Sequence, residues 1–328
     1  MVGLVEPLIA AASVPAALAG WTVWRARAIS RAFAPEGRFV PTRAGRLHLI
    51  DQGEGAVPAV FLHGASGSAL AWRPALGAGL ATLGRTVLVD RPGHGFSERQ
   101  AGRAAARLDH QAGAVIDALD ALGITQAVVV AHSWAGALAC RLALDHADRV
   151  AGLVLIAPAT HPWPGGVHWY YRVAASRLLG PLFSWTLALP VGEAWMGRSI
   201  AGVFSPQSID TGYAESAGIP LVLRPAQFMA NAQDVAGLLV QVRDQAQRYG
   251  AIACPVTVIS GDKDGVVWTH LHSLGMARDV PQTKLIVLPD VGHGPHHADP
   301  ALVTAEIQVL QQGRGETRPL LHGRAPVA

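Results

Sequence analysis

Short apolar runs recur along the first half of the chain. Ala59–Leu62, Thr86–Val89, Ala127–Val130 and Leu153–Ile156 are each bounded by Gly, Pro or polar residues. Runs of this length without alternation suit strands buried on both faces of a parallel sheet. Between them lie stretches of helical length, Ala69–Leu83, Ala104–Leu122 and Trp134–His146, so strand and helix alternate and an α/β architecture is predicted. Ahead of this series, Phe39–Asp51 reads as two strands around an Ala44-Gly45 turn. The rhythm breaks near Thr160, resumes at Pro255–Ile259 and closes with a strand at Lys284–Leu288 and a helix near Ala301–Gln312. Residues 161–250, rich in Trp, Tyr, Leu and Pro, read as several helical pieces inserted into one domain and placed to cover something. From Gly313 the tail is polar and Gly/Pro-containing and is expected to be loose.

The amino-terminal pattern is different. Residues 7–24 carry no charge, end in Trp21 and Trp24, and are followed by Arg25, Arg27 and Arg31. Eighteen residues is about the minimum for a spanning helix, tryptophans suit the headgroup boundary, and the arginines would hold their side in the cytoplasm. The leading expectation is an uncleaved membrane anchor with the catalytic body on the cytoplasmic face of a bacterial inner membrane. Two other readings stand beside it: a cleaved signal with Ala17-Leu18-Ala19 as the processing site, and a helix docked on the protein. Pro7 and Pro15 interrupt the run, and Glu6 replaces the basic start of a secretory leader.

Composition narrows the function class. The chain of 328 residues is 50% hydrophobic and 15% charged, which excludes general disorder. Its 26 Lys+Arg and 23 Asp+Glu are scattered, without the clustered basic face that nucleic acid requires. Cys140 and Cys254 are too few for a disulfide scaffold and read as buried free thiols. No CxxC, HExxH or Walker pattern occurs, so neither a metal nor a nucleotide cofactor is expected.

The chemistry-bearing segment is Val128-Val129-Val130-Ala131-His132-Ser133-Trp134-Ala135-Gly136, a strand running directly into a helix with serine at the junction. Such a turn exposes the serine above the sheet's carboxyl edge and needs small residues two before and two after it, here Ala131 and Ala135. A serine hydroxyl needs a base, and the base needs an orienting carboxylate. Later strands supply both in order: Ser260-Gly261-Asp262-Lys263-Asp264 after Val256–Ile259, and Pro289-Asp290-Val291-Gly292-His293 after Leu285–Leu288.

On these residues, together with His63-Gly64 and Asp90-Arg91-Pro92-Gly93-His94-Gly95-Phe96-Ser97, the chain resembles the α/β-hydrolase family from about residue 38 to residue 312. The resemblance implies a mostly parallel eight-stranded sheet flanked by helices, a helical cap inserted after strand 6, and here an added N-terminal hydrophobic helix. The implied domains are 1–34 as anchor and linker, 35–160 and 251–315 as the core, 161–250 as the cap, and 316–328 as a flexible tail. The family's acid stands three residues after the glycine, which selects Asp264 over Asp262. Ser133, Asp264 and His293 are then the catalytic residues, and the amides of Ala65 and Trp134 the oxyanion hole. His63 is expected to brace that loop, Asp90 and His94 to fix their glycine-rich turn, and His132, His296 and His297 to be structural or superficial.

Relatives that open epoxides or displace halide carry aspartate at the elbow, so Ser133 argues against both reactions. The expected activity is hydrolysis of a hydrophobic carboxylic ester, with lipid-derived esters among the candidates, through an acyl-enzyme and without a cofactor. A C–C bond hydrolase, thioesterase, acyltransferase or non-catalytic ligand receptor are the alternatives. Trp163, Trp169, Tyr170, Tyr171, Phe183, Trp185, Trp195, Phe204 and Phe228 make the insertion apolar, and a cap of that composition over the site predicts an apolar substrate group.

Overall fold

A computed structural model describes residues 5–313, with side chains from Ser13 onward. The expected flexible tail, 316–328, lies outside the described residues, as do the side chains of residues 7–12 in the expected membrane segment. Eight strands form one sheet in the order β1-β2-β4-β3-β5-β6-β7-β8. They are β1 (Arg38–Thr42), β2 (Gly45–Gln52), β3 (Ala59–Leu62), β4 (Thr86–Val89), β5 (Ala127–His132), β6 (Val150–Ile156), β7 (Val256–Gly261) and β8 (Thr283–Leu288). β2 is antiparallel to both neighbours, and β3 through β8 are parallel. β3, β4, β5 and β7 have every residue, or every residue but one, buried, as expected for strands covered on both faces.

Among the described residues, twelve α-helices accompany the sheet. α1 (Val5–Ala32) precedes it, and α2 (Trp72–Leu76), α3 (Leu108–Ala121) and α4 (Ala135–Asp145) connect the first strands. The cap, between β6 and β7, holds α5 (Trp169–Ala174), α6 (Leu179–Thr186), α7 (Ala188–Phe204), α8 (Tyr213–Ser216) and α9 (Pro225–Gln245). α10 (Thr269–Asp279), α11 (Pro295–Ala298) and α12 (Pro300–Gln311) complete the core. One apolar cluster packs α3 and α4 on one face of the sheet, and a second packs α2 and α12 on the other. The two ends of the cap meet, because Tyr249 Oη donates to the Thr160 carbonyl at 2.7 Å.

Two expectations change. The stretch Ala69–Leu83 is not one helix: a 3₁₀ turn, the five-residue α2 and a second 3₁₀ segment follow one another. Pro74 leaves an amide out of the ladder, and Gly77 and Gly84 turn with φ of 50° and 66°.

The amino-terminal expectation also changes. Among the described residues, no helix is long and apolar enough to cross a membrane. α1 does not give way to a linker after Trp24 but continues to Ala32. Its last three turns lie on the cap: Thr22 and Ile29 are buried, and Ala26, Ile29 and Phe33 pack with Leu189 and Leu221. Thr22, Ala26 and Ile29 of α1, and Phe33 just past its end, fall at i, i+4, i+7 and i+11, one face of a helix. Arg25 Nε adds an ion pair to Glu193 of α7 at 2.7 Å. The docked-helix alternative describes this part of the chain.

Candidate active site

Parallel strands deliver the loops that follow them to one edge of the sheet, and ligands of such folds sit there. Ser133 follows β5, Asp264 follows β7, His293 follows β8, and the His63-Gly64-Ala65 loop follows β3.

Ser133 sits at the elbow with φ of +54°, a conformation that non-glycine residues seldom adopt. Hydrogen bonds from both sides hold it there. Its amide donates to the Ile156 carbonyl at 2.9 Å, and its own carbonyl accepts from Gly136 and Ala159 at 2.9 Å each. Ala131 and Ala135 are fully buried, but the tightest approach lies one residue further on. A β-carbon on Gly136 would stand 2.4 Å from Pro158 Cβ.

His293 Nε2 lies 2.9 Å from Ser133 Oγ, and its Nδ1 lies 2.7 Å from Asp264 Oδ2. The other carboxylate oxygen accepts from the Val266 and Val267 amides at 2.8 Å each, so the acid is fixed by its own loop. A carboxylate only accepts, so Nδ1 carries the imidazole proton and Nε2 is left to accept from the serine hydroxyl. All three side chains are buried, with Ser133 retaining 9% exposure. The sequence choice of Asp264 over Asp262 agrees with this geometry, because Asp262 is exposed and faces Lys263 Nζ at 3.4 Å.

Trp134 is the N-cap of α4, so its amide is one of the donors a helix start leaves unpaired. Ala65 follows Gly64, which approaches the nucleophile so closely that a β-carbon would reach within 3.0 Å of Ser133 Cβ. Both proposed oxyanion positions therefore flank the serine. The Trp134 ring is buried: its Nε1 donates to the Asp234 carbonyl at 3.0 Å, and the Arg91 guanidinium stacks on it at 4.0 Å.

Arg91 organises the His63-Gly64-Ala65 loop, for which the oxyanion role is an expectation. Its amide donates to His63 Nε2 at 3.1 Å, its Nε to the His63 carbonyl at 3.0 Å, and its Nη2 to the Gly64 carbonyl at 3.3 Å. Its remaining donor Nη1 meets Gln111 at 3.0 Å and Asp234 of α9 at 2.7 Å. Burial, reinforced by this guanidinium, holds His63 and His94 neutral well below the usual imidazole range. Asp90 accepts from Ala69, Phe96 and His48, and a β-carbon on Gly95 would collide with its carboxylate, so it fixes the glycine-rich turn as expected.

Sequence reasoning missed the cap's share. Asn231 accepts from the Ser66 amide at 2.7 Å, at a residue with φ of +57°, and donates to Ser66 Oγ at 3.0 Å. Asn231 and Asp234 are buried polar residues of α9 at i and i+3, a spacing visible in the sequence. His296, expected to be structural or superficial, stands at the start of α11 and is only 4% exposed, and the His132 ring packs against both His293 and His296, with centroids 4.8 and 4.5 Å away. His132 Nε2 lies 3.1 Å from the His293 carbonyl. Burial keeps His132 and His296 neutral, well below the usual imidazole range. His297 is likewise half-buried, against Phe204 and Tyr213. Among the described residues no group of His, Cys, Asp or Glu could hold a metal ion.

Residues 58–300 match the family model described as alpha/beta hydrolase fold. The chain belongs to the α/β-hydrolase family. This hydrolase is 32% identical over 273 residues to the 2-hydroxymuconate semialdehyde hydrolase of Pseudomonas putida, covering 79% of this chain and 89% of the relative. It is 34% identical over 131 residues to epoxide hydrolase A of Mycobacterium tuberculosis, which covers only 39% of this chain and 40% of that protein. Among solved structures, a thermophilic esterase from Thermogutta terrifontis superposes with a TM-score of 0.66 at 24% identity, covering 86% of this chain and all of its own. The enol-lactonase from Burkholderia xenovorans gives 0.65 at 20% identity, covering 85% and 100%. These structural likenesses carry the fold.

Proposed function

We propose that this α/β hydrolase is a serine hydrolase that cleaves a hydrophobic carboxylic ester through an acyl-enzyme. The hydrogen-bonded series from Asp264 to His293 to Ser133, at 2.7 and 2.9 Å, carries the reading. In it, His293 takes the Ser133 proton as the hydroxyl attacks the carbonyl, Asp264 holds the imidazole tautomer and balances its charge, and the Ala65 and Trp134 amides receive the oxyanion. His293 then returns the proton to the leaving alcohol and activates water for deacylation. No cofactor enters these steps. Phe183, Phe228, Leu221 and Leu223 pack in apolar clusters within the cap, and this apolar composition supports an apolar substrate group.

A second reading, cleavage of a carbon–carbon bond next to a carbonyl by the same residues, is favoured by the Pseudomonas relative named above. The epoxide hydrolase similarity covers too little of either chain to weigh against a serine at the elbow.

A fluorophosphonate probe should label the wild type and not Ser133→Ala, and p-nitrophenyl esters of graded chain length should be turned over with a preference for longer acyl groups. Labelling without ester turnover, together with turnover of 2-hydroxymuconate semialdehyde, would replace the first reading by the second. Absence of both labelling and turnover would overturn both.

A further inference from the structure

The tryptophans that make the insertion apolar are not all buried within it. Trp169, Trp185 and Trp195 are 62%, 41% and 56% exposed. They are part of a concentration of exposed large apolar side chains on neighbouring helices. Leu178, Leu182 and Trp185, at i, i+4 and i+7, form one outward stripe along α6, and Leu178 at 87% is the most exposed of them. Leu187, Val191 and Trp195 form another along α7. On α1, Trp21 and Trp24 lie on the side opposite the Thr22–Ile29 face that meets the cap. α6 packs against α1, α5 and α7, so these stripes border one another. Soluble proteins seldom leave so many large apolar residues contiguous and uncovered.

Charge says what covers them. Arg27, Arg31, Arg172, Arg177 and Arg198 are exposed on the same helices or the turn between α5 and α6. Arg198 stacks on the exposed Trp195 ring at 5.4 Å. From Ser13 to Ala34 and from His161 to Phe204 the sole acid is Glu193, and it is paired with Arg25. Indole rings with aliphatic neighbours and a surplus of guanidinium groups are the composition of a surface that enters the headgroup layer of an anionic bilayer.

We propose that the outer face of the cap, together with α1, docks on the surface of an anionic phospholipid membrane without crossing it. The contact rests on surface chemistry alone and does not depend on the reaction proposed at Ser133. It would hold the cap against the phase in which apolar esters collect.

Cosedimentation of the full chain with vesicles tests this. Vesicles of phosphatidylcholine with roughly three parts in ten phosphatidylglycerol should bind the protein, pure phosphatidylcholine should bind it on the order of tenfold more weakly, and about 0.5 M salt should release most of it. The double variant Leu182→Glu/Trp185→Glu, which removes apolar contact, and the triple variant Arg27→Glu/Arg31→Glu/Arg177→Glu, which inverts charge, should each reduce binding on the order of tenfold. Both should keep cooperative unfolding and turnover of a short soluble ester. Ser133→Ala should bind like the wild type, which separates this result from the catalytic one. Quenching of wild-type tryptophan fluorescence by brominated lipid gives a readout independent of any variant. Absence of vesicle binding and quenching in the wild type would overturn the proposal. So would a lipid-free dimer, seen by sedimentation velocity, that Leu182→Glu/Trp185→Glu converts to monomer.

Discussion

Arg91 Nη1 lies 2.7 Å from Asp234 Oδ2, joining the loop after β4 to the last helix of the cap in a contact from which water is excluded. Arg99 Nη1 holds the other carboxylate oxygen at 3.0 Å. Because the same guanidinium also holds the His63 and Gly64 carbonyls, the cap and the oxyanion loop are fixed to one another.

Asp234→Ala therefore leaves a buried guanidinium without its counter-charge. Removing one partner of a buried pair typically costs about 3–5 kcal/mol. The expected outcome is a loss of that size in urea denaturation, with a drop in kcat larger than the change in KM as the oxyanion loop relaxes.

Asp264→Asn is expected to fold normally and lose on the order of 10³–10⁴-fold in kcat. With its oxygen kept on the Val266 and Val267 amides, the new side chain presents NH₂ to His293 Nδ1. The imidazole then carries its proton on Nε2 and cannot accept from Ser133. Near-normal turnover of the variant would move the acid elsewhere.

Two glycines predict opposite signs. A β-carbon at Gly136 meets Pro158 Cβ at 2.4 Å and its Cα at 2.9 Å, so Gly136→Ala should destabilise by about 1–3 kcal/mol and disturb the elbow. Gly197, in α7, has nothing within 4 Å of that position, so Gly197→Ala should stabilise by about 0.5–1 kcal/mol. Thermal midpoints of the two variants check both.

Acid should weaken the fold through its histidines. Burial lowers His63, His94, His132 and His296 well below the usual range, and His272 and His297 to about 4. The unfolded chain protonates these groups below about 6.5 while the native state does not, so stability rises with pH in that interval and levels off above it. Each such group contributes a slope of up to about 1.4 kcal/mol per pH unit between its two pKa values. Urea midpoints should fall steeply from pH 6.5 to pH 5 and change little between pH 7 and pH 8. A flat profile across the acid range would contradict the buried-neutral assignment.

The strands were legible because residues such as Val60 and Val129 are apolar on both faces, and the core helices because α3 and α4 follow them at the expected spacing. The elbow, the acid and the base were legible because each must stand immediately after a strand. What escaped depends on tertiary direction. Nothing local to His296 reports that Trp72 and His132 close over it, and nothing in the composition of α6 and α7 says that Trp185 and Trp195 turn outward. Asp234 acquires its role only through Arg91, far away in sequence. Ala69–Leu83 misled because its apolar pattern outweighs Pro74, Gly77 and Gly79, whereas the backbone obeys those three.

Thr160 and Tyr249, at the two ends of the insertion, are joined by one hydrogen bond. Seen from the sheet, the whole excursion is as short as a hairpin. Its length and content can be rewritten over evolutionary time without altering the distance between β6 and β7. Lineages built on this scaffold are thus free to exchange the stretch before α9 as a cassette, provided α9 keeps Asn231 and Asp234, which hold the loops beside Ser133.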